Sequence, residues 1–202
     1  MKNKININQI NRLFLRKRLQ ILNLFQNLKF EKDFYILCKE SIKAVIDGKK
    51  IIFFGNGGSA GDAQHLATEL TVRFKKNRVA LPAIALTTDT SAITAIGNDL
   101  GFKFIFSRQL EAIGNKGDIC IAITTSGNSP NLIEAIKVAN KKKIKTFCFS
   151  GNNGGIIKKY VGNSIIVPSF TIADIQVVQI FIGQIFCEIL EDFFYKKKFY
   201  KK

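Results

Sequence analysis

The chain is poor in histidine: among its 202 residues only His65 carries an imidazole. Imidazole is the side chain that most readily exchanges a proton near neutral pH. Because no second histidine is available, any further proton transfer must use carboxylates or other groups. His65 is therefore the single imidazole around which acid–base or metal chemistry could form.

Paired cysteines are also missing. The four cysteines lie far apart in the chain without a C-x-x-C spacing, so neither a disulfide framework nor a zinc motif of that kind is indicated. Three of them fall inside apolar runs, where small hydrophobic side chains are expected. We therefore predict reduced, buried thiols in a cytosolic protein at Cys38, Cys120, Cys148 and Cys187.

The chain contains no long uninterrupted apolar run. No clean stretch of about 18 apolar residues occurs, and the N-terminal segment has no continuous hydrophobic core of the signal-peptide kind. The basic residues that interrupt this segment are Lys2, Lys4, Arg12, Arg16, Lys17 and Arg18. We expect neither export nor a membrane span, and hence a cytoplasmic protein with no membrane partner.

What the chain does have is enough material for one sizeable core. Hydrophobic residues make up 47% of the sequence and charged residues 23%, which is ordinary for a globular domain. The net charge of +16 is uneven, since residues 1 to 50 carry 12 basic and 4 acidic groups. We interpret most of this charge as solvated surface, which requires no nucleic-acid partner.

Three segments differ in character. Residues 1 to 50 predict two amphipathic helices, at 5 to 28 and at 31 to 47, that pack on the domain or on a neighbouring subunit. Residues 51 to 194 supply the main domain. Residues 195 to 202 are a basic tail that we expect to be solvated.

Residues 51 to 70, with the sequence IIFFGNGGSAGDAQHLATEL, carry the strongest pattern in the chain. They predict a buried strand, a glycine-rich turn and a helix with Ser59 as its N-cap. Such a turn directs unpaired N–H groups and the positive end of the helix dipole at one point, where an anionic group binds well. The same residues satisfy the loose G-x-G-x-x-A pattern of dinucleotide-binding folds, so this stretch alone leaves both kinds of phosphate site open.

His65 and Glu69 stand four residues apart in the predicted helix. This spacing places an imidazole and a carboxylate on one helical face. Side chains so placed could share a metal ion or a proton of the substrate.

A second polar loop follows the predicted strand at 118 to 123. Residues 124 to 129 read TTSGNS, and Pro130 comes at the first position of the next helix. Four hydroxyls, a glycine and a helix N-terminus make a neutral cradle for a phosphate group. The alternative is a plain helix cap at Ser129, although Thr-Thr-Ser before it exceeds what a cap needs.

Apolar strands alternate with helices along the chain. The strands are predicted at 51 to 54, 81 to 86, 118 to 123, 145 to 149 and 164 to 167. This alternation specifies an α/β fold with a five-stranded, doubly wound parallel sheet of the flavodoxin-like kind, flanked by helices. Ligands of such sheets bind beyond the carboxyl ends of the strands, where both polar loops fall.

Two further segments could contribute to a site. A loop at residues 97 to 99, with Asn98 and Asp99, is expected between helices at 91 to 96 and 104 to 113. The last helix, at 171 to 194, is apolar almost all round, which predicts burial in the domain or between subunits. It also contains three glutamines that need hydrogen-bond partners: Gln176, Gln179 and Gln184.

These motifs resemble those of the sugar isomerase (SIS) domain family, and most closely its phosphoheptose isomerase branch. They are GNGGSAGDAQHLATEL, LPAIAL, GNDLGF, ITTSGNS and TIADIQ, in the order and spacing of that branch. The resemblance implies conversion of sedoheptulose 7-phosphate to D-glycero-D-manno-heptose 7-phosphate through an enediol, for the heptose of lipopolysaccharide. It also implies a homotetramer with sites between subunits, and it argues against a nicotinamide cofactor.

The resemblance further implies roles for individual residues. Glu69 would be the catalytic base, and one zinc ion per subunit would bind His65, Glu69 and Gln176. The implied substrate contacts are Asn56, Gly57, Gly58, Glu69, Asn98, Asp99, Thr124, Thr125, Ser126, Ser129 and Gln176. These residue types suit aldose–ketose isomerisation, which needs a base beside the sugar and gains from a metal that polarises the carbonyl.

The last helix departs from the pattern of the isomerases. That branch carries histidines three and eight residues after the position of Gln176, where this chain has Gln179 and Gln184. Val177 stands where a glutamate is usual. In that branch the second of these histidines, at the position of Gln184, is the fourth metal ligand and the proton carrier, and an amide cannot shuttle a proton near neutral pH. Two hypotheses follow: an isomerase that works without that histidine, favoured by the retained Glu69, or a non-catalytic sugar-phosphate-binding or protein-interaction module of the replication-initiator-associating kind.

Overall fold

The structure, a computed structural model, describes residues 6 to 196. Its α-helices are α1 (Ile7–Asn27), α2 (Glu31–Ile46), α3 (Gly58–Thr71), α4 (Thr90–Asp99), α5 (Ser107–Ile113), α6 (Pro130–Lys141) and α7 (Ile172–Lys196). Its strands are β1 (Ile51–Gly55), β2 (Ala83–Ala85), β3 (Ile119–Ile123), β4 (Lys145–Gly151) and β5 (Asn163–Val167). Short 3-10 helices span Phe102–Phe104 and Ile156–Lys159.

The five strands form one parallel sheet in the order β2-β1-β3-β4-β5. In register, Phe53 of β1 lies opposite Ala85 of β2 on one side and Ile121 of β3 on the other. The chain leaves β1 toward one edge of the sheet and returns beside it as β3, so the loops after β1 and β3 diverge. The predicted doubly wound fold is confirmed, and β1 and β3 form its topological switch point.

Alternate strand residues enter two different cores. Ile51 and Phe53 pack on the side that holds α2, α3 and α7, whereas Ile52 and Phe54 pack on the side that holds α5 and α6. All five residues of β1 are buried, and so are all five of β3. Burial on both faces explains why these strands are continuous apolar runs in the sequence rather than alternating ones.

α7 is long and apolar enough, by length and composition alone, to span a membrane. Its side chains Val178, Ile182, Phe186 and Leu190 are nevertheless buried in the core that includes α2 and α3. The ring of Phe186 meets that of Phe53 edge-on, with centroids 6.5 Å apart. These contacts are those of a core helix, in keeping with the predicted burial.

The two N-terminal helices differ in how they pack. α2 buries Leu37 and Cys38 in the core, whereas α1 has no buried residue. α1 begins with a capping box at Asn6 and reaches α7 through an ion pair of 2.9 Å between Lys17 and Asp174.

The proposed division of the chain at residues 50 and 194 stays a prediction. Most of the expected basic tail, residues 197 to 202, lies outside the described residues.

The expected loop at residues 97 to 99 was wrong, because these residues complete α4. The Asp89 side chain caps the start of this helix by accepting from the Ala92 N–H at 2.9 Å. A glycine inside a helix costs only about 1 kcal/mol, so Gly97 does not end it. Gly101 does, because its φ of +100° cannot continue an α-helix. The helix expected from 104 to 113 is likewise divided into a 3-10 turn and α5.

Candidate active site

The glycine turn, residues 55 to 58, joins β1 to α3 at the carboxyl edge of the sheet. Gly57 has φ +55°, a conformation that other L-residues rarely adopt, and α3 begins at the next residue. The expectation that Ser59 caps the helix was wrong, since Gly57 is the N-cap and Ser59 is buried in the first turn. Within the described chain no side chain caps α3, and the Ser59 and Ala60 N–H groups donate instead to the carbonyls of Asn56 and Gly57, each at 3.0 Å.

Asn56 pairs with Asn131, a residue that the sequence motifs did not single out. The Asn56 Nδ2 atom donates to Asn131 Oδ1 at 3.0 Å, and Asn131 Nδ2 donates to Asn56 Oδ1 at 2.8 Å. Asn131 is only 2% exposed and lies in the first turn of α6. The pair therefore links the glycine turn to the helix behind the second polar loop. The only sign of this role in the sequence is that the Asn131 amide directly follows Ser129 and Pro130.

The hydroxyl loop, residues 124 to 129, follows β3 directly. Thr124 is buried, and its Oγ1 accepts a hydrogen bond from the Gly127 N–H at 3.1 Å, so this hydroxyl shapes the loop from within. Gly127 has φ +67° and lies so close to the backbone of Gly154 that a Cβ atom would overlap it. Thr125 and Ser126 lie nearer the surface. The loop thus has an internal brace and an accessible rim.

Ser129 is not an ordinary side-chain cap. Pro130 occupies the first turn of α6 as predicted, but in the described chain the Ser129 hydroxyl makes no capping hydrogen bond. The loop is held by other contacts, since Ser126 Oγ accepts from the Asn128 N–H at 3.2 Å and Asn128 Oδ1 accepts from the Ile156 N–H at 2.9 Å. The Ser129 hydroxyl is therefore available to an anion at the N-terminus of a 12-residue helix.

His65 and Glu69 meet on one face of α3, as their spacing predicted. The His65 Nε2 and Glu69 Oε1 atoms are 3.0 Å apart, and the side chains are 45% and 22% exposed. The carboxylate is thus held by the imidazole but still reachable from solvent. A carboxylate in this position can take a proton from a bound sugar.

Asp62 lies one turn before His65 on the same helix, and the sequence motifs gave it no role. Burial raises the pKa of Asp62, and the positive charge of a protonated His65 acts in the opposite direction. The Asp62 Oδ2 atom is buried and has no hydrogen-bond partner among the described residues. The electrostatics of this face therefore involve two carboxyl groups and the imidazole.

Gln176 lies beside Gly58, so closely that a Cβ atom on the glycine would overlap the amide nitrogen of the glutamine. His65 comes seven residues later on α3, about 10 Å along the helix axis. One chain therefore brings His65 and Glu69 together but places Gln176 near the start of the helix. Among residues 6 to 196 no group of three or more His, Cys, Asp or Glu side chains could hold a metal ion. A single chain thus offers zinc the side chains of His65 and Glu69 together, while Gln176 as a ligand stays a prediction.

The two glutamines at the positions of the isomerase histidines lie in different surroundings. Gln179 is 1% exposed, and its Nε2 donates to the backbone carbonyl of Thr124 at 2.8 Å. Its Oε1 is buried without a hydrogen-bond partner in the described part of the chain. Gln184 is half-buried on α7, and Val177 is exposed. Gln179 thus holds the first residue of the hydroxyl loop by its backbone carbonyl, a role that no motif indicated.

Asn98 and Asp99 form the last turn of α4. Both are exposed, and Asn98 Nδ2 donates to Asp99 Oδ1 at 2.8 Å. Between residues 6 and 196 no hydrogen bond joins this pair to the glycine turn or the hydroxyl loop. Their predicted contact with substrate stays a prediction.

The family model described as the SIS domain matches residues 33 to 151 of this chain. The matched part runs from α2 to the end of β4. It therefore includes the glycine turn, the His65–Glu69 pair and the hydroxyl loop, which are the parts of the site described above.

Bacterial phosphoheptose isomerases are similar to this chain in sequence and in structure. The protein of that name from Aquifex aeolicus is 52% identical over 149 residues, which cover 74% of this chain and 78% of its own length. That from Nitratiruptor sp. is 50% identical over 159 residues, covering 79% and 83%. A solved phosphoheptose isomerase structure from Francisella tularensis matches with a TM-score of 0.85 and 33% identity, covering 94% of this chain and 100% of that one. The chain belongs to the SIS domain family and, within it, to the phosphoheptose isomerases.

Proposed function

We propose that this protein converts sedoheptulose 7-phosphate to D-glycero-D-manno-heptose 7-phosphate through an enediol. The observation that carries the proposal is the His65–Glu69 pair, with 3.0 Å between Nε2 and Oε1, on the helix that follows the glycine turn. A protein that only bound the sugar would need no base at this point. Relatives that bear the name phosphoheptose isomerase at about 50% identity support the same activity.

The hydroxyl loop is the part of the site that suits the phosphate group. Thr125, Ser126 and Ser129 carry hydroxyls at its rim, and they stand at the N-terminus of α6, where the helix dipole is positive. Contacts from Gly127 and Gln179 hold the loop in place before substrate arrives. Because the loop is already ordered, binding phosphate loses little conformational entropy.

Glu69 is the group that moves the proton between carbons. Its carboxylate removes a proton from carbon 1 of the ketose, and the electron pair forms the carbon–carbon double bond of the enediol. Oxygen 2 receives the electrons of the former carbonyl bond and takes a proton from water, which completes the enediol. The Glu69 carboxyl then returns a proton to carbon 2, while the hydroxyl on oxygen 1 gives its proton to water and becomes the carbonyl of the aldose. His65 orients the carboxylate through the 3.0 Å contact. Since one base suffices at the carbons, Gln184 lowers the rate without preventing the reaction.

The alternative, a non-catalytic sugar-phosphate-binding or protein-interaction module, is not favoured. It was raised by Gln179 and Gln184, which replace the histidines of the isomerase pattern. Gln179, however, holds the Thr124 carbonyl and so serves the phosphate end of the site rather than the base. The relatives at about 50% identity bear the name of an enzyme.

Zinc binding by His65, Glu69 and Gln176 stays a prediction. An imidazole and a carboxylate side by side are donors that zinc accepts, but a single chain adds no third charged or imidazole ligand. A bound metal would polarise the carbonyl of the sugar. The proton transfer described above uses no step through a metal.

We also propose a homotetramer. Apolar side chains of α1 face solvent, among them Leu13, Phe14, Leu15, Leu19 and Leu22. An apolar cavity of about 540 Å³ opens between α2 and α7, with Phe34, Cys38 and Ile185 in its wall. Apolar surface of this kind is typically covered by another subunit. Light scattering should give a mass near four times the 22.6 kDa of one chain.

The cytoplasmic location of the protein and its role in lipopolysaccharide synthesis stay predictions as well.

The activity is tested by mixing purified protein with sedoheptulose 7-phosphate, with and without added zinc, in deuterated water. NMR should show the aldose appearing, with deuterium at carbon 2. Glu69→Gln should abolish both signals, whereas the matched change Glu111→Gln, at an exposed carboxylate on α5, should leave them unchanged. Saturable binding without product or exchange in the unaltered protein would overturn the proposal.

A further inference from the structure

A fully buried ion pair lies at the far end of the helix that carries Glu69. The Arg78 and Glu191 side chains are 1% and 0% exposed, and 3.4 Å separates Arg78 Nε from Glu191 Oε1. Arg78 comes from the segment between α3 and β2, and Glu191 comes from α7. Burying two charges is expensive, and an apolar pair of similar volume is often as stable. This pair therefore needs an explanation beyond stability.

The guanidinium of Arg78 grips the C-terminal end of α3. Its Nη2 donates to the Glu69 carbonyl at 2.7 Å, and its Nη1 donates to the Leu70 carbonyl at 2.6 Å and to the Val79 carbonyl at 2.9 Å. The last carbonyls of a helix have no partners within it, and the helix dipole is negative there. Arg78 supplies both hydrogen-bond donors for these carbonyls and a positive charge at the negative end of the dipole. It does so at Glu69, the residue that we propose as the base.

Glu191 holds the segment that follows the same helix. Its Oε1 accepts from the Phe74 N–H at 2.8 Å, and its Oε2 accepts from the N–H groups of Lys75 and Lys76 at 2.7 and 2.9 Å. The carboxylate thus fixes the turn after α3 while it neutralises Arg78. Together the two residues clamp the last turn of α3 to α7.

α7 also contacts α3 at a second point, which lies before Glu69 in the helix. A Cβ atom on Gly183 of α7 would lie 2.6 Å from Cδ1 of Leu66, so the two helices are in close contact there. Leu66 is buried on one side of α3 while His65 and Glu69 stay partly exposed on another. The side of α3 opposite the solvent is therefore fixed at Leu66 and at the carbonyls of Glu69 and Leu70.

We propose that Arg78, backed by Glu191, is a positioning residue for catalysis, which sets where the Glu69 carboxylate stands relative to the sugar. The inference rests on the proposed function, since it assumes that Glu69 is the base. A shift of about 1 Å in a catalytic group can cost about a hundredfold in rate. Loss of the clamp should therefore lower the rate of proton transfer while the hydroxyl loop, on another strand, still binds phosphate.

The test is Arg78→Lys, which keeps a cation beside Glu191 but replaces the planar fork with a single ammonium. We expect kcat for sedoheptulose 7-phosphate to fall about ten- to a hundredfold, with KM changed less than about threefold. The matched control is Lys50→Arg, a cation exchange in a second ion pair, which Lys50 forms with Asp118 at the starts of β1 and β3. That variant should keep its kcat.

Glu191→Gln is the second variant, because it keeps an acceptor for the backbone N–H groups and removes the charge that backs Arg78. It should also lower kcat more than it changes KM. If folded Arg78→Lys and Glu191→Gln proteins keep the kcat of the unaltered protein, the positioning role is overturned. The same holds if kcat falls equally in Lys50→Arg. An unaltered protein that makes no aldose would instead overturn the proposed function, so the two failures are distinguishable.

Discussion

Gln179 and Thr124 are joined by a buried hydrogen bond in which the amide Nε2 donates to the backbone carbonyl at 2.8 Å. The bond connects α7 to the first residue of the hydroxyl loop, across 55 residues of sequence. The residue at the first of the two histidine positions of the isomerase pattern thus supports the loop that we propose for phosphate binding. The departure from the isomerase pattern at residue 179 therefore leaves the base untouched.

Gln179→Met should weaken phosphate binding. Methionine has a similar length but no donor, so the Thr124 carbonyl is left buried without its partner, which costs about 1 to 3 kcal/mol. We expect KM for sedoheptulose 7-phosphate to rise about tenfold with a smaller change in kcat, measured by steady-state kinetics. Ile180→Met on the same helix is the control. An unchanged KM in folded Gln179→Met protein would contradict this role.

Asn131→Leu should disturb the sugar end of the site. The substitution removes both hydrogen bonds that hold the Asn56 amide, at 3.0 and 2.8 Å. Two lost bonds at about 1 kcal/mol each lower kcat/KM roughly tenfold to a hundredfold. The same change at Asn140, which bonds the Tyr160 carbonyl near the other end of α6, should leave kcat/KM unaltered. Equal losses in both variants would mean that α6 itself is disturbed.

Gln184→His should accelerate the reaction. An imidazole on α7 supplies the general acid–base help that an amide cannot give, worth about a hundred- to ten-thousand-fold when well placed. We expect kcat to rise at least about tenfold, with a new inflection in its pH profile near the ordinary imidazole pKa of about 6.5. The measurement is kcat as a function of pH for the unaltered protein and for the Gln184→His variant. A kcat that does not respond would show that residue 184 takes no part in the proton transfer.

The four cysteines should resist thiol reagents until the protein unfolds. All are buried, and burial raises the pKa of Cys38 to about 12, against an ordinary value of 9.0, and raises the pKa values of Cys120, Cys148 and Cys187 as well. At pH 8 only about one Cys38 thiol in ten thousand is the reactive thiolate. Ellman's reagent should find four thiols in denaturant and almost none in the native protein. Rapid native labelling of even one thiol would contradict this burial.

The sheet was predictable because parallel strands that are covered on both faces must be apolar throughout. Ile51 to Phe54 and Ile119 to Ile123 show this pattern, and both are fully buried. Helix ends were less predictable. Asn98 and Asp99 lie inside α4 because Gly101, with φ +100°, ends the helix, and Ser59 is not a cap because Gly57 takes that position. Propensity marks a glycine as a possible stop, but packing decides which glycine ends the helix.

The sequence by itself determined the parts of the site that depend on local geometry. His65 and Glu69 meet because four residues span one helical turn, and the hydroxyl loop lies at the carboxyl edge because it directly follows a strand. Only the tertiary structure decided the partners of Asn56, Gln179 and Arg78, which are separated from them by 55 to 113 residues. No helical or strand period encodes such distances, since these contacts exist only once α6 and α7 pack beside the ends of the sheet.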